Sequence, residues 1–122
     1  MIDLKPSEPK TLLVSNNMVE VDDLTEMLVE LGLGPVEHAR DLEDTLQILA
    51  EGGKPFRLMI CGLSLHLHDV KEFLASLDLS TVALVVIDGS AEYLDREGVA
   101  FLQRPFSTGD VLAALTRLGL RD

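Results

Sequence analysis

Leu58-Met59-Ile60-Cys61-Gly62 is the stretch whose reading decides the fold. Four apolar residues run without interruption, stop at a glycine, and give way to a short loop before a new helical pattern. An unbroken apolar run, rather than alternation, suits a strand covered on both faces of a parallel sheet. Gly62 then stands at the strand's carboxyl end, just where open α/β sheets gather ligands and chemistry.

Outward from this strand the chain repeats one unit. Thr11-Leu12-Leu13-Val14 reads as a first strand ending in Ser15-Asn16-Asn17, and asparagine is a good helix N-cap. Val21, Leu24, Leu28 and Leu31 recur at helical spacing until Gly32, Gly34 and Pro35 end the helix. Val36-Glu37-His38-Ala39 reads as a short edge strand, and Asp41 can cap a helix carrying Leu42, Leu46 and Leu49. Glu51-Gly52-Gly53-Lys54-Pro55 lacks the spacing of a phosphate loop and reads as a turn into the strand Arg57 to Cys61. Asp69 and Glu72 have capping-box spacing, ahead of a stripe of Val70, Phe73, Leu74 and Leu77.

Val82 to Ile87 is a second doubly buried strand, followed by a weakly patterned helix over Ala91 to Glu97. Val99 to Gln103 is the last strand, and Ser107 to Asp110 opens a final helix with Val111, Leu112, Leu115 and Leu118 on its buried side. Five strands alternating with five helices predict a three-layer, doubly wound α/β fold.

A length of 122 residues suits one domain. Met1 to Lys10, with Pro6 and Pro9 and no apolar stretch, reads as a flexible arm, leaving 11–122 as the domain. A net charge of −11 disfavours nucleic acid and anionic membranes as partners, since both select clustered Lys and Arg. The longest apolar run falls far short of the ~20 residues that span a bilayer. The single cysteine, Cys61, excludes an internal disulfide and reads as a small buried hydrophobe. A cytoplasmic protein is the expectation.

The strand ends carry a resemblance. From Thr11 to Leu118 the chain is similar to the receiver (CheY-like) domains of two-component response regulators. Arg104-Pro105-Phe106 resembles the Lys-Pro-Phe that closes their last strand, and Asp69 matches the aspartate opening their third helix. The resemblance implies a flavodoxin-like (βα)5 sheet of order 2-1-3-4-5, with Leu58 to Cys61 at its centre. It also implies phosphorylation of an aspartate with a divalent metal ion nearby, and here the residues depart from the pattern. Ser15 and Asn16 stand where the family carries an acidic pair, and Gly62 stands where it carries the phosphoacceptor. Val86 or Ile87 replaces its Thr/Ser, Arg104 its lysine and His66 its loop proline. Gly62 has no side chain to phosphorylate, and Ser15 and Asn16 offer a hard cation no negative charge. The expectation is a degenerate, non-phosphorylatable receiver with no catalytic residues, cofactor or metal.

Such a chain acts by binding. The resemblance implies a partner surface on the fourth helix, fifth strand and fifth helix, including Phe101, Arg104, Phe106 and Arg117 and serving a signalling protein or a second copy. Phe101 has no hydroxyl at Val86 or Ile87 to couple to and reads as fixed packing. A small-ligand or anion sensor using the vacated cleft is the alternative, with Arg104 as the anion-binding group because no motif position supplies it with an acid. A metal site at His66, His68 and Asp88 is a third, weaker reading, because two loop histidines need further ligands. Asp88, before Gly89, serves as a turn residue more readily than as a rescued acceptor.

Overall fold

The computed structural model describes residues 10–51, 56–90, 92, 94 and 96–120. The flexible arm predicted over Met1 to Lys10 and the turn over 51–55 lie largely outside these residues. Five strands, β1 (Thr11–Val14), β2 (Val36–Ala39), β3 (Leu58–Cys61), β4 (Ala83–Ile87) and β5 (Val99–Leu102), form one sheet of order β2-β1-β3-β4-β5. All pairings are parallel, with Thr11 opposite both Val36 and Leu58, Leu58 opposite Ala83, and Leu84 opposite Val99. The expected CheY-like order is therefore the observed one, with β3 in the centre.

Strand alternation divides the interior into two half-cores. Leu12, Val14, Met59, Cys61, Leu84 and Val86 face one side, where α2 (Leu42–Ala50) and α3 (His68–Ser76) contribute Ile48, Val70 and Leu74. Leu13, Leu58, Ile60, Val85 and Ile87 face the other, against Val21, Leu24 and Leu28 of α1 (Met18–Glu30) and Val111 and Leu115 of α4 (Thr108–Arg117). Every residue of β3 is buried because helices cover both faces, which is why its sequence is continuously apolar. Burial in this setting pushes the Cys61 thiol up to about 11, as expected of a packing residue rather than a nucleophile.

Three helix starts follow the side-chain chemistry of their caps. The Asn17 side chain accepts from Glu20 N–H, Asp41 from Asp44 N–H, and Ser107 forms a reciprocal capping box with Asp110. The start of α3 differs from expectation. Helix begins at His68, Leu67 occupies the N-cap without a side-chain bond, and Asp69 lies inside the first turn, accepting only from Val70 N–H. Its carboxylate there complements the helix dipole instead of capping.

Two helix faces also differ from their apolar stripes. In α2, Thr45 and Ile48 are buried while Leu46 and Leu49 are exposed. Thr45 tolerates burial because its hydroxyl donates to the Asp41 carbonyl one turn earlier, at 2.8 Å. In α4, Ala114 takes an inner position and Leu112 points outward.

The helix expected over Ala91 to Glu97 falls partly outside the described residues, and Glu92 and Glu97 lie in turns, Leu94 in a bend and Arg96 in irregular chain. Four helices are thus present among the described residues rather than five. Leu94 is still buried, and Arg96 Nη1 donates to the Leu74 and Leu77 carbonyls at 2.9 and 2.7 Å, satisfying the end of α3. No helix among the described residues is long and apolar enough to cross a membrane.

Candidate functional site

The carboxyl ends of the strands bring Ser15, Gly62, Asp88 and Arg104 to one edge of the sheet. Parallel ladder bonds continue one residue past the strands and set this edge: Ser15 N–H donates to the Ala39 carbonyl, Gly62 N–H to Val14, and Asp88 N–H to Leu102. Asp88 turns the chain with φ of 60°, the left-handed region that a non-glycine residue seldom adopts.

Arg104 is the centre of the site. Its Nε donates to Glu20 Oε1 at 2.6 Å and its Nη2 to Glu20 Oε2 at 2.9 Å, a two-point pairing of guanidinium and carboxylate. Nη1 donates to Asp88 Oδ2 at 2.7 Å, the Arg104 backbone N–H donates to Asp88 Oδ1 at 2.8 Å, and Nη2 also reaches the Gly62 carbonyl at 3.3 Å. The Arg104 side chain is 34% exposed, whereas that of Glu20 is 6% exposed. Hydrogen bonds to Glu20 outweigh partial burial and raise the Arg104 pKa, so the guanidinium is permanently charged. At Asp88 partial burial pushes the carboxyl up, but hydrogen bonds from the Arg104 backbone and side chain, with its charge, hold it below the usual carboxylate range.

Ser15 is fully buried, and its hydroxyl donates to Glu20 Oε2 at 2.8 Å and accepts from Asn17 N–H at 3.1 Å. Asn16 is exposed. His38 lies with Nε2 2.7 Å from the Ser15 carbonyl, so this nitrogen donates. Val86 and Ile87 are buried on opposite faces of β4.

Gly62 leaves room for this arrangement. A Cβ there would lie 3.0 Å from Arg104 Nη2, 3.1 Å from Glu20 Oε2 and 3.3 Å from the Val14 carbonyl oxygen. The space a larger residue would enter is therefore filled by an ion pair. What remains is a cleft of about 290 Å³ lined by Gly62, Leu63, Ser64, His66, Asp88 and Arg104, among others. On the other side of Arg104, an apolar groove of about 480 Å³ runs between Val19 and Met27 of α1 and the Pro105-Phe106 turn.

The other sequence candidates separate. His66 lines the cleft, but His68 lies on α3, pairing with Glu72 one turn on, at 3.1 Å. No group of three or more His, Cys, Asp or Glu is placed to hold a metal ion among the described residues. The divalent ion implied by a receiver arrangement does not fit this donor set. Ser15 and Asn16 are uncharged, and the two carboxylates present, Glu20 and Asp88, are taken up by one guanidinium. Phe101 is half-buried against the Met59 side of the core, Phe106 is half-buried against the opposite side, and Arg117 is exposed.

Glu20 is the residue that sequence reading missed. It is the third residue of α1, and side chains in a helix lean toward its N-terminus. An acid in the first turn after β1 thus hangs over the sheet edge, beside Ser15. That position was the available signal. Arg104, 84 residues away, gave no hint of the pairing.

The same fold occurs in solved receiver structures. The solution structure of SdrG from Sphingomonas melonis Fr1 matches with a TM-score of 0.64 and 22% identity, over 89% of this chain and 94% of that one. A CheY-like response regulator receiver domain from Methylobacillus flagellatus matches with a TM-score of 0.64 and 17% identity, over 92% of this chain and 99% of its own. A probable two-component system response regulator/GGDEF domain protein matches with a TM-score of 0.70 and 18% identity, over 88% of this chain and 48% of its own. At these identities the likeness establishes the fold. No protein-family model and no curated protein matches the sequence.

Proposed function

We propose that this chain is a receiver-like signalling module that takes no phosphoryl group and acts by binding a protein partner. One observation carries the reading: Gly62, the residue the receiver resemblance aligns with the acceptor, ends the central strand, and the space beside it holds the Arg104–Glu20 pair. A phosphoryl acceptor needs a carboxylate nucleophile with unoccupied space for the incoming group, and Gly62 supplies neither. Asp88 does not substitute for it, because both of its oxygens accept from Arg104. With no catalytic group at the site, the chain is not an enzyme in this reading, and partner binding is its output.

Two features support a protein partner. Helix α4 presents Arg117 and Leu112 to solvent, on the face the receiver resemblance marks for partners or for a second copy. Beside the site, the groove at Val19, Met27 and Phe106 adjoins an α1 that carries five acids and no basic residue, which suits an apolar partner segment with a basic rim.

The phosphorylation half is tested by incubating the protein with acetyl phosphate and Mg²⁺ and measuring its intact mass. An unchanged mass is the expected result, and an added phosphoryl group on any aspartate overturns the reading. The partner half is tested by affinity capture from the native extract with wild type, Arg117→Glu and Phe106→Glu. A specific partner lost in one variant places the interface; a profile with no specific partner overturns the binding role.

A further inference from the structure

We infer that Arg104 is the resident cation of this site, a permanent internal latch standing where a receiver arrangement implies a divalent metal ion. It holds the ends of β3, β4 and β5 and the start of α1 in one conformation. This goes beyond partner binding and does not depend on which partner, if any, is bound.

The first argument is charge. Glu20 is nearly buried, and a carboxylate in that setting needs a counter-charge and filled hydrogen-bonding sites. Arg104 supplies the charge and two donors, and Ser15 supplies a third. Asp88, the second acid at the edge, also spends both oxygens on Arg104. One cation thus organises two carboxylates and the Gly62 carbonyl, which are the oxygen donors a hard metal ion would take.

The second argument is connectivity. Glu20, Gly62, Asp88 and Arg104 come from four separate segments, and the guanidinium adds side-chain ties between them to the backbone ladder bonds of the strand ends. Asp88 sits in the left-handed region, and the Arg104 bonds to its side chain secure that turn. Gln103 adds a second tie, donating to the Gly89 carbonyl at 2.7 Å. The planar guanidinium is the part that matters. A lysine ammonium is a point charge and cannot meet a bidentate carboxylate, a second carboxylate and a carbonyl at fixed angles.

The test uses the intact chain with Mg²⁺ and Mn²⁺ as probes. Wild type is expected to show no saturable change in melting temperature with either ion. Arg104→Met leaves Glu20 and Asp88 facing each other without their cation. It is expected to melt about 10–20 °C lower and to regain stability saturably as Mg²⁺ is added. Arg104→Lys and Glu20→Gln, which keep the size of the side chains, are expected to speed hydrogen exchange at the Asp88 and Arg104 amides about tenfold while leaving Ile60 protected. A saturable response of wild type to Mg²⁺ overturns the latch. So does a folded Arg104→Met variant that ignores Mg²⁺. If that variant does not fold, the exchange measurements decide, and wild-type protection in both conservative variants overturns it.

Discussion

Gly62 and Glu20 occupy one another's space, and that mutual exclusion governs what substitutions at this edge do. A side chain at residue 62 meets Arg104 Nη2 and Glu20 Oε2 at about the limit of contact. Gly62→Asp therefore sets a new carboxylate against Glu20 in competition for one guanidinium. The variant is expected to lose about 1–3 kcal/mol in denaturant unfolding. It is also expected to stay unmodified by acetyl phosphate and Mg²⁺; stoichiometric phosphorylation detected by intact mass would refute this. The Arg104–Glu20 pair is asymmetric. Glu20→Gln leaves an arginine that is a third exposed and can turn to water, so its cost should be about 1–2 kcal/mol. Arg104→Ala leaves a carboxylate buried without its partner, and about 3–5 kcal/mol is expected. Chemical denaturation of both variants checks the order; equal losses would contradict the burial argument.

Helices carry the next set of consequences. In α2 the apolar residues visible in sequence, Leu46 and Leu49, face outward, while Ile48 packs against the Val14 and Met59 side of the core. Ile48→Ala should cost about 2–4 kcal/mol, whereas Leu46→Ala should stay within about 0.5 kcal/mol of wild type. A comparison of the two urea midpoints tests this, and similar losses would mean that the helix is rotated. Ser107→Ala removes the capping box of α4 and should cost about 1 kcal/mol. Asp69→Ala, in the first turn of α3, should cost less because no N-cap bond is lost. The stripes misled because i, i+3 and i+4 spacing identifies candidate faces without saying which the sheet covers. At a sheet edge, a hydroxyl that bonds its own backbone can take an inner position that a leucine vacates.

For the molecule as a whole, pH acts through the site. The Asp88 pKa is depressed in the folded state, so its contribution is complete above the unfolded value of about 4 and is lost as pH falls through the lower folded value. With that side chain 44% exposed, the contribution should be at most about 1 kcal/mol. The stability difference between wild type and Asp88→Asn should therefore shrink as pH falls from about 5 toward 3. A difference that grows on acidification would refute the assignment. The net charge, −11 at pH 7, crosses zero within this range at the pI of about 4.5 and turns positive below it. That change in self-repulsion acts on wild type and variant nearly alike, and the comparison isolates the local effect.

The sequence by itself determined the strands, their order of appearance and the two-sided burial of the sheet. A strand covered on both faces must be continuously apolar, and a helix covered on one face must be periodic; both constraints are local and legible in Leu58 to Cys61 and in Val21, Leu24 and Leu28. It also determined that residue 62 carries no nucleophile. Only the tertiary structure decided what fills the space so released. The Arg104–Glu20 pair joins residues 84 positions apart, from the turn after the last strand and the start of the first helix. An ion pair depends on distance in space, and no pattern along the chain encodes that distance.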